Sequence, residues 1–451
     1  MSKKNLFTII WFVSCNCLLG QNQYSFTVDE AVVFALENNK NSIYAEKNVL
    51  ISQKEKWETI AVGLPQISSF FEFNNRIKDP ISLIPAEFFG GNEGEFAEIS
   101  FGTKQSISGE LILNQLLFDG SYLIGLQSIE LFLQLSSQAK IKTDLEVKRQ
   151  VINAYGNALV SAERVKILFN NLNNVKKTLI ETKKIYENGL TEIENVEQLT
   201  ITTSSIENSL NYAEKFELLS LNILKLLLGI ELSDILILND NIETIAIKNI
   251  NPSLVNQEFE ISENIDYKIA LNASEGNKKR LQLEKFKSLP TISAYISGSY
   301  NGYNESFRIT NPKQNWYGSS QLGINMSLPI FSSLQRTAST QKAKIELDKA
   351  LLNLKETENT LNLEVEKAKS DYTYSINNYE TALKNLTLAE SIEKKNQIKF
   401  YEGLASSFDL RQAQNQLYAI QNEYLEATLK IIENKINLEI LLNKSWKNIF
   451  I

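Results

Sequence analysis

The residue types that carry most enzyme chemistry are missing from this chain or placed where they cannot serve it. None of its 451 residues is histidine, which excludes imidazole general bases, Ser-His-Asp triads and most zinc and iron sites. Its only cysteines, Cys15 and Cys17, lie near the N-terminus, so a chain that loses that segment has no thiol chemistry and no disulfide. Carboxylates are abundant, with 53 Asp and Glu, yet no two stand in the Gly-rich or aromatic context of a glycosidase pocket. The basic runs Lys278-Lys279-Arg280 and Lys394-Lys395 have acids nearby and read as solvated helix faces. A formal charge of −7 without clustered cations gives phosphate nothing to bind. Neither catalysis, a cofactor, a metal nor a nucleic-acid partner is expected.

The elements around these residues are more telling. Residues 1–20 read as an export signal, with Lys3 and Lys4 ahead of the apolar run Leu6 to Val13 and a small residue, Gly20, before Gln21. The rival reading makes Cys15 the acylated first residue of a lipoprotein, although Phe12 stands where an aliphatic residue is usual. Beyond this segment no run of about 18 uninterrupted apolar residues exists; the richest, Leu218 to Leu228, is broken by Ser220, Asn222 and Lys225.

The sequence repeats itself. Leu64-Pro65-Gln66-Ile67-Ser68 returns as Leu289-Pro290-Thr291-Ile292-Ser293, Leu117-Phe118 as Ile330-Phe331, and Tyr186-Glu187-Asn188-Gly189-Leu190 as Tyr401-Glu402-Gly403-Leu404. The prolines are 225 residues apart and the phenylalanines 213, so the first copy has 12 extra residues, which a loop within Lys78 to Glu98 can absorb. Residues 21–240 form the first repeat, 241–261 a linker holding Pro252 that packs as an equatorial segment, and 262–451 the second repeat. Each reads as helix, strand, strand, long helix, turn, helix.

Alternation predicts the strands: Leu322, Ile324, Met326, Leu328 and Ile330 interleave with polar residues, as do Ile292, Ala294, Ile296 and Tyr300, and the first half repeats this around Phe71, Phe73, Leu111 and Leu113. Phe70, Phe71, Phe73, Tyr295, Tyr300, Tyr303, Trp316 and Tyr317 cluster there, as in an interfacial girdle. A 4-3 spacing runs from Val147 through Val151, Ala154, Ala158, Ser161, Val165, Leu168, Leu172, Val175, Leu179 and Thr182 to Tyr186, the seam of a coiled coil. The partner helix follows it from Leu347 to Leu386 with one slip at Ile376, and Leu410, Ala413, Leu417, Ile420, Tyr424, Ala427 and Ile431 line the return. A helix from Ser121 to Tyr186 would extend roughly 100 Å. Four strands cannot close a barrel in hydrocarbon, so three chains would supply twelve.

These features together resemble the TolC-like outer-membrane efflux family over about Phe26 to Leu442. The resemblance rests on the strand-strand-helix-helix duplication, the Leu-Pro-x-Ile-Ser openings, Leu117-Phe118-Asp119-Gly120 leading into a long helix, the two Gly-Leu turns, and Phe26-Thr27-Val28-Asp29-Glu30-Ala31 with Ala35-Leu36-Glu37-Asn38-Asn39, where Thr27 would cap the first helix. It implies a mainly α chain with a membrane β-barrel portion: helical hairpins forming an α-barrel, and four strands per chain in a 12-stranded trimeric barrel set in outer-membrane lipid and extending into the periplasm. It further implies a homotrimer that performs no chemistry and serves as the exit duct of a tripartite efflux or type I secretion system, with a periplasmic adaptor (membrane fusion) protein and an inner-membrane pump or exporter.

The resemblance also places an acidic constriction beside the hairpin turns. Asp409 occupies one acidic position and Gln412 stands where a second acid is common; Asn195 and Gln198 correspond in the first repeat, with Glu192 and Glu194 as nearby substitutes. Asp409 can equally serve as an acid at a helix start. Gly189, Leu190, Gly403 and Leu404 make the turns, which the family presents to its adaptor. Two other readings use long helices: a periplasmic coiled-coil adaptor or scaffold, which normally carries one hairpin between compact β domains, and a soluble coiled-coil structural protein, which has no use for the strands. The mature chain is expected to start at Gln21 without lipid; intact-mass measurement checks this, and a mass matching diacylglyceryl Cys15 would overturn it.

Overall fold

The computed structural model describes residues 22–307 and 311–443. The expected signal, the cleavage point at Gln21 and the alternative lipid site Cys15 lie outside them. In chain order the elements are β1 (Gln23–Phe26), α1 (Val28–Asn38), α2 (Lys40–Ala61), β2 (Gln66–Asn75), β3 (Ile81–Pro85), β4 (Phe96–Ser100), β5 (Gln105–Phe118), α3 (Gly120–Glu187), α4 (Ile193–Leu228), β6 (Ile235–Leu238), α5 (Ile242–Lys248), α6 (Ile265–Phe286), β7 (Thr291–Asn304), β8 (Trp316–Ser327), α7 (Gln335–Tyr401) and α8 (Ser407–Leu441). Among the described residues they form two compact units that each draw on both halves of the sequence, one from 22–45, 140–265 and 360–443 and the other from 46–139, 266–307 and 311–359.

The first unit is built on helix seams. Val147, Val151, Ala154, Ala158, Ser161, Leu172, Val175 and Thr182 of the 4-3 stripe are buried in α3, as are Leu361, Val365, Tyr372, Ile376 and Tyr379 in α7 and Leu410, Ala413, Leu417, Tyr424, Ala427 and Ile431 in α8. The stripe loosens toward the turn, where Tyr186 is 39% exposed. The 241–261 segment is packed rather than loose: Ile242, Ile245, Ala246 and Leu254 join the same core as Ala31, Ala35 and Leu228. Thr27 caps α1 in a reciprocal box, its N–H donating to Glu30 Oε2 at 2.8 Å while the Glu30 N–H donates to Thr27 Oγ1 at 3.4 Å.

Two buried tyrosines fasten irregular chain to this core. The Tyr155 hydroxyl lies 2.9 Å from the Phe26 carbonyl and 3.0 Å from Asp240 Oδ2, and accepts the Asp240 N–H at 3.3 Å. The same carboxylate accepts the Val28 N–H at 2.7 Å. The Tyr372 hydroxyl donates to the Asn249 carbonyl at 2.6 Å and accepts the Asn251 N–H at 2.8 Å. These bonds satisfy backbone groups at the ends of β1 and β6 and after α5, which would be costly to bury unpaired.

The second unit contains an antiparallel sheet in the order β2-β5-β7-β8. Its register sorts the side chains. Ile67, Phe71 and Phe73 of β2 share a face with Ile107, Leu111 and Leu113 of β5, Ile292, Ile296 and Tyr300 of β7, and Trp316, Leu322, Ile324 and Met326 of β8. The opposite face carries Ser68, Glu72, Asn74, Ser108, Glu110, Asn114, Ser297, Ser299, Asn301, Ser319, Gln321 and Asn325. The apolar face is uncovered: Phe71 is 84% exposed, Leu322 74% and Ile324 72%.

Three expectations are corrected. The surplus of the first repeat is more than a loop, since β3 and β4 pair as a hairpin of their own from Ile81↔Ser100 to Pro85↔Phe96. The last strand stops at Ser327, so Leu328 and Ile330 lie beyond it: β8 has a ladder partner only in β7, which begins opposite at Thr291, and Pro329 has no N–H to donate. The aromatic cluster divides between the faces, with Phe71, Phe73, Tyr300 and Trp316 on the apolar side and Phe70, Tyr295, Tyr303 and Tyr317 on the polar side. Removing one hydroxyl from the helical unit, Tyr155→Phe, should cost about 1–3 kcal/mol because buried backbone and carboxylate partners are left unpaired. Thermal melts of the two proteins check this, with Tyr212→Phe, at a 71% exposed ring, as the near-neutral control.

Candidate pore entrance at the helical hairpin turns

Both long helices of the first unit end in the same way. The Gly189 N–H donates to the Tyr186 carbonyl at 2.8 Å and the Leu190 N–H to the Ile185 carbonyl at 3.1 Å; Gly403 and Leu404 repeat this on Phe400 at 3.1 Å and Lys399 at 2.7 Å. This is a Schellman ending, which requires a left-handed residue, and φ is +73° at Gly189 and +72° at Gly403. Open space surrounds both glycines, so the backbone alone dictates the residue type. Leu190 and Leu404 stand out at 77% and 73% exposure.

The helices that follow start differently. Ser406 caps α8: its hydroxyl donates to Asp409 Oδ2 at 2.6 Å, its N–H donates to the same oxygen at 3.0 Å, and the Asp409 N–H donates back to Ser406 Oγ at 3.2 Å. Hydrogen bonds from the Ser406 side chain and backbone, with the charge of Lys399 adding to them, hold the Asp409 carboxyl below its ordinary pKa. Asp409 is therefore a helix-start residue, ionised at neutral pH and exposed to solvent. In α4 the cap position is Glu192, whose side chain makes no capping bond, and Glu194 lies in the first turn. Both are exposed.

Of the residues singled out in the sequence, Asn195 and Gln198 are drawn to the start of α8. Asn195 Oδ1 accepts from Ser407 Oγ at 2.6 Å while its Nδ2 donates to Thr191 Oγ1 at 3.0 Å. Arg411 Nη1 donates to Gln198 Oε1. Gln412 is exposed. Ser407 and Arg411 were not legible as site residues. The Ser406-to-Asp409 spacing signals a capping box, whereas nothing in the sequence marks Arg411, which sits 5.5 Å over the exposed Phe408 ring. The arrangement offers solvent-facing carboxylates, one neighbouring guanidinium and two projecting leucines. No group of three or more metal-ligating side chains occurs among the described residues.

An uncovered apolar sheet with long helical hairpins defines the fold of TolC-like outer-membrane channels. Residues 277–444 match the model of the family described as Outer membrane efflux protein. Among solved structures, the chain is similar to CusC (16% identity, 92% of each chain, TM-score 0.72). It is likewise similar to the outer membrane protein VceC of Vibrio cholerae (14% identity, 92% of this chain and 95% of that one, TM-score 0.70). The Campylobacter jejuni CmeC outer membrane channel matches at 15% identity over 92% of this chain and 85% of that one, with a TM-score of 0.70. No curated protein matches the chain in sequence.

The cap predicts a pH signature. A carboxylate whose folded pKa is depressed contributes stability in full above its unfolded pKa and loses it as pH falls through the folded value. Asp409→Ala should therefore melt below wild type at neutral pH, and the gap should close as the solution is acidified through and below the ordinary value of 3.8. Melts across an acid series check the sign.

Proposed function

We propose that the protein is the outer-membrane exit duct of a tripartite efflux or type I secretion system, a passive homotrimeric conduit driven by an inner-membrane pump or exporter through a periplasmic adaptor. The observation that carries this reading is the sheet. It has one apolar and one polar face, its apolar face is bare, and both outer strands, β2 and β8, pair on one side only. In water such a sheet would aggregate through its edges. In a bilayer the open edges are untenable unless the sheet closes, and three copies joined edge to edge give the twelve strands of a barrel whose apolar face meets lipid and whose polar face meets water. No helix among the described residues is long and apolar enough to cross a membrane; in this reading the strands span it.

In this reading the exposed turns at Gly189-Leu190 and Gly403-Leu404 meet the adaptor, with the leucines as apolar contacts. Three copies of Asp409, supplemented by Glu192 and Glu194 and flanked by Asn195, Gln198 and Gln412, ring the periplasmic opening and favour cations. Use of Asp409 Oδ2 in the helix cap leaves Oδ1 facing solvent, so the two roles coexist.

Detergent-solubilised protein should have three times the monomer mass and remain with the outer membrane through carbonate and salt washes. Release into the soluble periplasmic fraction would favour the adaptor or scaffold reading. In planar bilayers Asp409→Asn should lower cation selectivity and Asp409→Lys should reverse it or block the pore. Unchanged selectivity in both variants would transfer the entrance role to Glu192 or Glu194.

A further inference from the structure

We propose that Glu72 and Glu110 form a second cation-selecting band, carried by the β-sheet and independent of the helical turns; the inference rests on the channel reading above. None of the four strands β2, β5, β7 and β8 contains a lysine or arginine, and these two glutamates are their only charged residues. Either face could have held them. The register puts both on the polar face, in neighbouring rows: Phe70, Glu110, Ser299 and Ser319 in one, Glu72, Ser108, Asn301 and Tyr317 in the next. Two residues along a strand is about 7 Å, so the two carboxylates make one band rather than two scattered charges.

The band is uncompensated. The polar side chains around it bond to one another, Ser299 Oγ with Ser319 Oγ at 2.8 Å and Asn301 Nδ2 to Ser299 Oγ at 3.3 Å. Neither glutamate has a hydrogen bond or ion pair with a described residue. Two cations stand at the strand ends beyond the band: Arg76, whose side chain donates to the Phe101 carbonyl at 3.0 Å, and Lys104, whose carbonyl accepts the Arg76 N–H at 2.8 Å. Two unpaired like charges on adjacent rows weaken a sheet slightly, and serine or asparagine would wet the face equally well. Their electrostatic effect is the larger one. With the polar face turned inward in a closed trimer, six carboxylates encircle the pore, and the low-dielectric wall concentrates their field on the ions passing through.

The test measures reversal potentials under a KCl gradient for the full-length protein, the Glu72→Gln/Glu110→Gln double variant and Asp409→Asn. The double variant should lower the cation-to-anion permeability ratio at least about two-fold at ~0.1 M salt although Asp409 is intact. The effect should shrink at ~1 M, where the screening length falls to about 3 Å. A second arm uses Glu110→Cys, which supplies a thiol where the sequence beyond Cys17 has none. A membrane-impermeant cationic thiol reagent should reduce its conductance and react faster than an anionic one of similar size. A conducting double variant with the wild-type ratio, or a conducting Glu110→Cys channel inert to both reagents, would overturn the band and leave the channel reading standing. Absence of any conductance from the wild type would overturn both.

Discussion

Everything in the second unit depends on one constraint, that backbone N–H and C=O groups must find partners. Strands β5 and β7 are paired on both sides, whereas β2 and β8 each present an unpaired edge, and the ladder they flank has a bare apolar face. An isolated sheet of this kind satisfies neither water nor lipid. The proposed trimer would resolve the conflict, because each edge-to-edge pairing would satisfy backbone groups left open at β2 and β8. In that reading oligomerisation and membrane insertion would answer the same unmet hydrogen bonds.

The alternation of side chains across that ladder gives the sheet two chemically distinct faces. With period two, the strands put most of their leucines and isoleucines and half of the clustered aromatics on one side, and most of their hydroxyls and amides and both carboxylates on the other. Small residues keep the rows packed: Phe71 lies over Gly109 and Tyr300 over Gly318, in a single row that runs Phe71, Gly109, Tyr300, Gly318. A sheet sorted in this way can face an apolar medium on one side and water on the other.

The helical unit meets the same hydrogen-bonding demand by other means. Long helices satisfy their own backbones, leaving only their ends and the connections to be paired. Schellman turns at Gly189 and Gly403, capping boxes at Thr27 and Ser406, and the Tyr155 and Tyr372 hydroxyls supply several of those partners. One of these devices also bears on the charge at the hairpin turns, because the cap that starts α8 lowers the pKa of Asp409 through the Ser406 side-chain and backbone hydrogen bonds.

The sequence by itself determined the local periodicities and their punctuation. The 4-3 stripe from Val147 to Thr182 followed the buried seam for most of its positions, Thr27 was readable as a cap, and the glycines of the two turns could be assigned a left-handed backbone, because each is a property of residues a few positions apart. The strands were legible as alternation, yet their order, β2-β5-β7-β8, depends on pairing between segments nearly two hundred residues apart, and with it the division of the aromatics between the faces and the early end of β8. The β3-β4 hairpin was missed because its five-residue strands are too short to show a period. At the turns, the sequence singled out Asp409, Asn195 and Gln198 as candidates but gave no sign of Ser407 and Arg411, which bond to the latter two. Those contacts arise where two helix starts meet side by side, a juxtaposition set by the packing of whole hairpins and encoded in no local spacing.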